Sequence, residues 1–446
     1  MRAWIVSAGR RISPFLEPAS EALLADTTVG AAVRASLHKR GFEVLEASID
    51  DELPAAPGPI LVLMDSVFVS DKCLGDFLAA AVDVARDGGA ARLALARTPA
   101  VDFLLPVSSV EVEPFDAHGP GAKPEKGFRA EGQATERAAY DCFFVDGIAA
   151  GRAGDHLQRW RREAVRVVVK KRELGLPLRL PILGDAQQTL TRIPVTSTLA
   201  AHVEHWVHIL WLNQLAFGMR WMELVRGHKL WTLSRVLRAA PWRLPSLLAS
   251  FVRRGRGVRI HPTAHVEASI LGDGVVIGPR ASVRNSILGA GVEVDDHATV
   301  LSSTLGAGAY VTPRTFVVWS AAYPQAVLSN YKLQVSLIGR GASLSTWAGF
   351  IDAKLQGTID VMKDGVRHST ERSFLGSCLG HGAHVGAKVL LLPGREVPNG
   401  AFIAMHPDEL VGAIPGDLPA GVPLVRDHGT LVPLSHLLDS KSAERS

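Results

Sequence analysis

The 446-residue sequence is poor in cysteine and lacks any long, uncharged apolar run. Its three cysteines, Cys73, Cys142 and Cys378, lie far apart and show no Cys-x-x-Cys spacing. This excludes a disulfide framework and favours reduced thiols. No stretch reaches the roughly 18 apolar residues that a membrane span needs, and the amino terminus lacks the apolar core of a signal peptide. We therefore expect a cytoplasmic protein.

The sequence also lacks a strong charge bias. Its 48 Lys and Arg residues against 44 Asp and Glu give a formal net charge of +4, which does not indicate nucleic acid as a partner. An apolar fraction of 47% with 21% charged residues is typical of a globular protein. The length predicts two or three domains.

What the sequence does contain is a 17-residue repeat. Three consecutive segments, ASILGDGVVIGPRASVR, NSILGAGVEVDDHATVL and SSTLGAGAYVTPRTFVV, align over residues 268–318. Aliphatic residues recur at steps of six, five and six, small residues often follow four positions later, and glycine is frequent after the aliphatic residue. A fixed period predicts a whole architecture rather than one element.

This repeat resembles the left-handed parallel β-helix of hexapeptide-repeat proteins, in which the aliphatic side chains stack inside a triangular prism. We predict such a β-helix over 257–404, broken around 319–337, with an inserted loop around 350–372 and a tail over 405–446. Within the insertion, VMKDGVRHS carries the Asp-Gly pair of a tight hairpin turn.

The amino-terminal part, residues 1–195, has a different pattern. RAWIVSAG, FEVLEAS and ILVLMDSVFVS are strand-like, whereas DTTVGAAVRASLHKRG and DKCLGDFLAAAVDVARDGG have helical spacing. Alternating strands and helices predict an α/β domain with mostly parallel strands. The polar segment FDAHGPGAKPEKGFRAEGQATER predicts a mobile loop or lid.

MDSVFVSDKCLGDFL resembles the sugar-nucleotidyltransferase pattern, in which a strand delivers an aspartate that holds a divalent metal. SAGRRISPF similarly resembles a shortened nucleotide loop of that family. An α/β domain before a β-helix is also similar to the bifunctional N-acetylglucosamine-1-phosphate uridylyltransferases. The resemblance implies Mg²⁺ at Asp65, with Asp146 of DCFFVDGIAAG as the second carboxylate. It implies a phosphate-binding loop of Ser7, Ala8, Gly9, Arg10 and Arg11.

The sequence departs from the nucleotidyltransferase pattern at two points. The expected Gly-x-Gly-Thr-Arg loop is reduced to Gly9, Arg10 and Arg11, and Ala19 follows Pro18 where a lysine is expected. That lysine would neutralise phosphate charge in the transition state, and an arginine is not its equivalent.

Residues 196–256 predict a helical connector rich in tryptophan. Five of the nine tryptophans fall between 206 and 242, interleaved with arginine and lysine. A basic, tryptophan-bearing amphipathic helix can lie in a membrane interface. We favour a linker that packs between the two domains over this peripheral membrane contact.

Hexapeptide-repeat acyltransferases use a histidine as general base, and the resemblance implies acetyl-CoA or another acyl-CoA as donor and a homotrimer. LGHGAHVGAK places His381 and His384 near a corner of the prism, beside Lys388. A histidine suits this role because its ordinary pKa lies near neutral pH. The asparagine and tyrosine motif of the related enzymes is missing from STWAGFIDAKLQG.

The sequence thus leaves three functions open. The leading hypothesis is a nucleotidyltransferase that forms a nucleotide sugar from a nucleotide and a sugar phosphate. The alternative is acyl transfer to a sugar or sugar nucleotide on the β-helix. The third is an inactive binding or scaffold protein.

Overall fold

A computed structural model describes residues 1–86, 89–114, 136–170, 173–179, 190–239, 250–329 and 332–436. The segment predicted to be a loop or lid lies outside the described residues except for its last two positions. Within the described ranges, no helix is both long enough and apolar enough to cross a bilayer.

The amino-terminal domain is built on one mixed β-sheet. Its strands are β1 (Arg2–Ser7), β2 (Glu43–Ser48), β3 (Ala56–Met64), β4 (Ala90–Ala96), β5 (Glu111–Pro114), β6 (Glu136–Ile148) and β7 (Val165–Val169). Their order is β7-β4-β6-β3-β1-β2, and β5 pairs with β6. The neighbours of β1 run parallel to it, whereas β6 runs antiparallel to both β3 and β4.

Among the described residues of this domain, the helices are α1 (Val29–His38), α2 (Asp71–Arg86), α3 (Pro99–Asp102) and α4 (Ala153–Glu163). Helix α1 begins after Thr28, whose hydroxyl accepts the Ala31 N–H at 3.2 Å. The apolar stripe of Val29, Val33 and Leu37 on this helix is buried.

Short elements complete the domain. Paired strands are Arg11–Ile12 with Glu17–Pro18, Leu23–Leu24 with Thr27–Thr28, Glu52–Leu53 with Gly151–Arg152, Val67–Val69 with Ala200–His202, and Leu174–Arg179 with Leu190–Val195. A 3-10 turn covers Ala19–Glu21.

The carboxy-terminal domain is a left-handed parallel β-helix with three faces. Face 1 contains Arg253–Arg254, Ile270–Leu271, Ile287–Leu288, Thr304–Leu305, Ala321–Ala322, Leu337–Ile338, Cys378–Leu379 and Glu396–Val397. Face 2 contains Arg259–Ile260, Val276–Ile277, Glu293–Val294, Tyr310–Val311, Val327–Leu328, Ser343–Leu344, His384–Val385 and Phe402–Ile403. Face 3 contains His265–Glu267, Ser282–Arg284, Thr299–Leu301, Phe316–Val318 and Lys332–Gln334, followed by the pair Gly349–Phe350 and Leu390–Leu391.

The repeat produces the prism as its spacing predicts. Leu271, Leu288 and Leu305 pair one above another at 17-residue steps and are buried in its interior. Stacked aliphatic side chains of this kind fill the prism because each coil covers the apolar residues of the next.

The predicted break around 319–337 is wrong. Phe316 pairs with Lys332 and Ala321 with Leu337, so the ladder continues through this region with a 16-residue step. One missing residue shifts the sequence pattern without interrupting the stack, because the paired strands still lie opposite each other.

The chain between Leu337 and Cys378 contains a hairpin. Leu337 pairs with Cys378, 41 residues later, and the intervening chain includes the antiparallel strands Asp360–Lys363 and Val366–Ser369. Asp364 and Gly365 form their turn with φ of 52° and 77°, as an Asp-Gly turn requires. After the prism come a 3-10 turn, Pro407–Glu409, and a hairpin of Leu424–Asp427 with Thr430–Pro433.

Two helices connect the domains: α5 (Trp206–Gly227) and α6 (Lys229–Arg238). Helix α5 packs between them. Its Asn213 bonds the Ala25 N–H and the Leu23 carbonyl in the first domain, while Gln214 donates to the Trp319 carbonyl of the prism. The outer side of face 1 is therefore buried against α5 and the amino-terminal domain, in one shared apolar core.

Candidate functional site

The first candidate site lies at the carboxyl end of β1 and β3. The chain passes from β1 to β2 on one side and later enters β3 on the other, so the strand order reverses between β1 and β3. Ligands of open α/β sheets bind at such a point. Here the Ser7 hydroxyl donates to Asp65 Oδ2 at 2.5 Å, and the Gly9 N–H donates to Ser7 Oγ at 3.2 Å.

Burial raises the pKa of Asp65, although bonds from Ser7 and from backbone N–H groups oppose the rise. Of the predicted loop, Ser7 and Ala8 are half-buried and Gly9 is exposed. Arg11 donates to the Leu16 carbonyl of its own hairpin at 2.9 Å. Arg10 is exposed, which leaves its guanidinium as the loop's cation for an anionic ligand.

Asp146 does not join this site, and its pairing with Asp65 is a wrong prediction. Strand β6 is antiparallel, so Asp146 lies opposite Pro59 at the start of β3, whereas Asp65 follows the end of β3. Six residues of extended strand separate the two carboxylates by about 20 Å.

A magnesium ion does not fit these residues. Mg²⁺ is usually held by one or two carboxylates together with water and substrate phosphates. Asp65 has a raised pKa and already accepts the Ser7 hydroxyl, and the predicted second acid, Asp146, lies at the other end of β3. No group of three or more His, Cys, Asp or Glu side chains in the described ranges could hold a metal.

The structure separates the two histidines that the sequence proposed as catalytic. His381 lies at the contact between the domains, where its ring stacks near Phe15 and Tyr323 at centroid distances of 4.8 and 5.0 Å. Its Nδ1 accepts the Arg340 N–H at 2.9 Å, and its Nε2 lies 3.2 Å from Glu17 Oε2. Both ring nitrogens are engaged, so His381 is fixed as a structural contact.

His384 is half-exposed on face 2 and uses one nitrogen. Its Nδ1 lies 2.7 Å from Ser343 Oγ in the adjacent coil, and no partner of Nε2 occurs among the described residues. When Nδ1 carries the proton and donates it to Ser343, Nε2 carries a lone pair that no described protein donor occupies. This nitrogen can accept a proton from a bound hydroxyl or amine.

Apolar and basic side chains surround His384. Phe402, in the next coil of the same face, is 73% exposed, and its ring centroid lies 6.2 Å from that of His384. At the corner that follows face 2, Trp347 is 68% exposed and Lys388 occupies the equivalent position one coil later. Left-handed residues in the same corner of other coils are Arg280, His297 and Arg314.

The sequence did not predict a buried ionic network that lies between the domains. Lys363, from the inserted hairpin, contacts Glu204, which also accepts from Ser109 and His202. Burial opposes ionisation, but these donors hold the pKa of Glu204 well below its ordinary value. A lysine in a hairpin and a glutamate before a helix carry no sequence pattern that links them.

A second contact of the insertion is an arginine between two rings. The Arg372 guanidinium carbon lies 3.9 Å from the ring centroids of both Phe103 and Trp211. Burial lowers its pKa to about 9. The hairpin therefore fixes the prism to the amino-terminal domain.

The chain is similar to solved acetyltransferase and hexapeptide transferase structures over about a third of its length. The acetyltransferase domain of PglB from Neisseria gonorrhoeae in complex with acetyl coenzyme A is 23% identical, over 33% of this chain and 55% of that one, with a TM-score of 0.19. A hexapeptide transferase family protein from Anaplasma phagocytophilum is 17% identical, over 35% and 81%, with a TM-score of 0.16. These values carry no argument about function. No family model and no curated protein matches the chain.

Proposed function

We propose that this protein transfers an acyl group from a thioester, such as acetyl-CoA or another acyl-CoA, to a hydroxyl or amino group, with His384 as general base. The observation that carries the proposal is the one-sided engagement of half-exposed His384, whose Nδ1 is held by Ser343 at 2.7 Å while Nε2 has no partner among the described residues. A general base must accept the proton of the substrate with a lone pair that no donor of the protein already occupies.

The reaction follows from this geometry. Nε2 of His384 takes the proton of the acceptor hydroxyl or amine as its oxygen or nitrogen attacks the thioester carbonyl. The tetrahedral intermediate then collapses, the carbon–sulfur bond breaks, and the thiolate leaves with the proton that His384 carried. Ser343 accepts the Nδ1–H bond throughout, which keeps the ring oriented and supports the imidazolium between the two steps.

The surroundings of His384 suit a donor with an apolar arm and phosphate groups. Exposed Phe402 and Trp347 offer apolar surface for the acyl chain and its linker. Lys388, with Arg280 and Arg314 in the same corner column, offers cations to phosphates. We place the donor along this corner, and binding between neighbouring prisms of a homotrimer is part of the proposal.

Thiol release measures the proposed reaction directly. Purified full-length protein is mixed with acetyl-CoA and a panel of amino sugars, hydroxyl sugars and nucleotide sugars. We expect turnover with one acceptor class and a loss of about 100-fold or more in His384→Ala. His38→Ala is the matched control, because His38 is an exposed histidine at the end of α1, in the other domain. Equal rates in both variants, or no thiol release from any pair, would refute acyl transfer.

The second candidate is recognition of a nucleotide or nucleotide sugar at the edge formed by Ser7 and Asp65. Its support is the 2.5 Å hydrogen bond between these residues at the point where the strand order reverses. Because Mg²⁺ does not fit there, the candidate is binding rather than metal-dependent nucleotidyl transfer. Calorimetry with nucleoside triphosphates and nucleotide sugars tests it. Binding that becomes weaker in the Ser7→Ala and Arg10→Gln variants supports this candidate. If none of the ligands produces a heat of binding, the candidate is excluded.

A further inference from the structure

The exposed side of α6 is apolar. Leu230, Leu233 and Leu237 are 85%, 54% and 60% exposed and lie at i, i+3 and i+7, so they share one side of the helix. The opposite side is anchored: Trp231 packs against Trp221 and Phe251, at centroid distances of 6.1 and 5.9 Å. Helix α6 is thus held against the protein with its leucines directed outward.

The chain around α6 is strongly basic. Between Glu223 and Glu267 the sequence contains nine Arg and Lys residues and no Asp or Glu. Lys229 and Arg238 are exposed at the two ends of α6. Phe251, which contacts Trp231, leads directly into exposed Arg253 and Arg254 of the first coil.

These cations are largely free of acidic partners. Arg256 pairs with Asp273 at 3.0 Å, and Arg235 lies over the Trp231 ring. Among the residues that the structure describes, no carboxylate pairs with Lys229, Arg238 or Arg254. The surface therefore presents unneutralised positive charge around an apolar strip.

From this combination we propose that α6, together with the arginines of the first coil, binds the surface of an anionic lipid bilayer. A helix with leucines on one side and flanking lysine and arginine lies in the plane of the interface, with its leucines at the acyl boundary and its cations at the phosphates. The linker role belongs to α5, which leaves the outer side of α6 uncovered.

Two other occupants fit less well. A second copy of the same surface would bring cations against cations, because the segment contains no acid to complement them. A nucleic acid would satisfy the arginines through its phosphates but would leave three exposed leucines in water. The bilayer accommodates both the exposed leucines and the cations. The proposed lipid-binding surface on α6 is independent of the acyl-transfer site on face 2.

Vesicle co-sedimentation of the full-length protein tests the proposal. We expect pelleting with vesicles of three parts phosphatidylcholine to one part phosphatidylglycerol, and little with phosphatidylcholine alone. The double variant L230Q/L233Q should weaken partitioning about tenfold or more. Leu355→Gln is the matched control, because Leu355 is 82% exposed but lies in the insertion.

A second pair of variants tests the cations. The charge variant K229Q/R238Q should also weaken partitioning about tenfold, whereas R162Q/R367Q, at exposed arginines elsewhere, should not.

Each other outcome overturns the proposal. No pelleting with anionic vesicles, or equal pelleting of L230Q/L233Q and the parent, means that the leucines do not enter the bilayer. Loss with the charge variant alone indicates general attraction to polyanions. A smaller assembly for L230Q/L233Q in light scattering without lipid means that the surface joins copies of the chain.

Discussion

The ammonium group of Lys363 lies 2.6 Å from Glu204 Oε2, across the contact between the β-helix and the amino-terminal domain. Lys363 also donates to the Val107 carbonyl at 2.8 Å. Both side chains are largely removed from solvent, with 13% and 6% exposure. The inserted hairpin therefore carries a buried charge whose partner belongs to the other domain, and the two domains are expected to unfold together.

Breaking this pair should be costly. Lys363→Met leaves the Glu204 carboxylate buried without its cation, and we expect a loss of about 3–5 kcal/mol in the free energy of unfolding. Urea unfolding followed by tryptophan fluorescence measures it. Lys72→Met provides the control, because its pair with Asp76 is surface-exposed and should change stability by less than about 1 kcal/mol. Similar losses in the two variants would contradict a buried interdomain pair.

Acidification should destabilise the protein through His208. Its Nδ1 accepts the Glu204 N–H at 3.2 Å and its Nε2 lies 2.9 Å from the Pro106 carbonyl, so the neutral ring satisfies both contacts. Burial is the main cause that lowers its pKa from 6.5 to about 3. Between these values the unfolded chain binds one more proton than the folded chain. Stability is therefore complete above pH 6.5 and falls as the pH decreases, by about 1.4 kcal/mol per unit.

Unfolding midpoints in urea from pH 7 to pH 5 test this slope. Glu204 changes the stability little in that window, because the stability that its depressed pKa contributes is lost only as the pH falls through and below the ordinary titration range of a carboxylate. His208→Gln should be less stable at pH 7 but should depend less on pH, whereas His297→Gln, at an exposed position, should keep the parental slope. An unchanged slope in His208→Gln would disprove the assignment.

Tyr323 should matter more for stability than Tyr310, although each donates its hydroxyl to a carboxylate. Tyr323 is buried, donates to Glu17 and accepts the Leu23 N–H at 3.2 Å. Tyr323→Phe leaves these groups unpaired, and we expect a loss of about 1–3 kcal/mol. Tyr310 donates to half-buried Asp295 at 2.7 Å on the outer side of the prism, and Tyr310→Phe should cost less than about 1 kcal/mol. Thermal melts of both variants measure the difference. Equal decreases in Tm would argue against an interdomain role of the Tyr323 hydroxyl.

Ser343 should act on the rate through His384. Ser343→Ala removes one hydrogen bond from the ring, so kcat should fall about three- to tenfold. KM for the acyl donor should stay the same, because Ser343 orients the base and the donor binds elsewhere. Ser343→Thr keeps a hydroxyl and should restore part of the rate. A change in KM alone would show that Ser343 belongs to the binding surface instead.

The sequence by itself determined the β-helix. One 17-residue repeat corresponds to one coil of the prism, because each coil must place an aliphatic residue in the same interior column. It also determined the first strands and helices of the α/β domain and the Asp-Gly hairpin, whose signals are local. The one-residue deletion near residue 330 shortens one step to 16 residues, which shifts the sequence pattern and suggests a break. The β-ladder continues there, because pairing depends on which strands lie side by side and not on a constant number of residues between them.

Only the tertiary structure decided which candidate residues belong together. Asp146 and Asp65 both follow apolar runs of sequence, but the antiparallel direction of β6 places them at opposite ends of the sheet. His381 and His384 are three residues apart in the chain. The neighbouring coil and the docked first domain together engage both nitrogens of His381, whereas one nitrogen of His384 has no partner among the described residues. Contacts between distant segments, such as Lys363 with Glu204, have no local signature, because they depend on how whole domains pack.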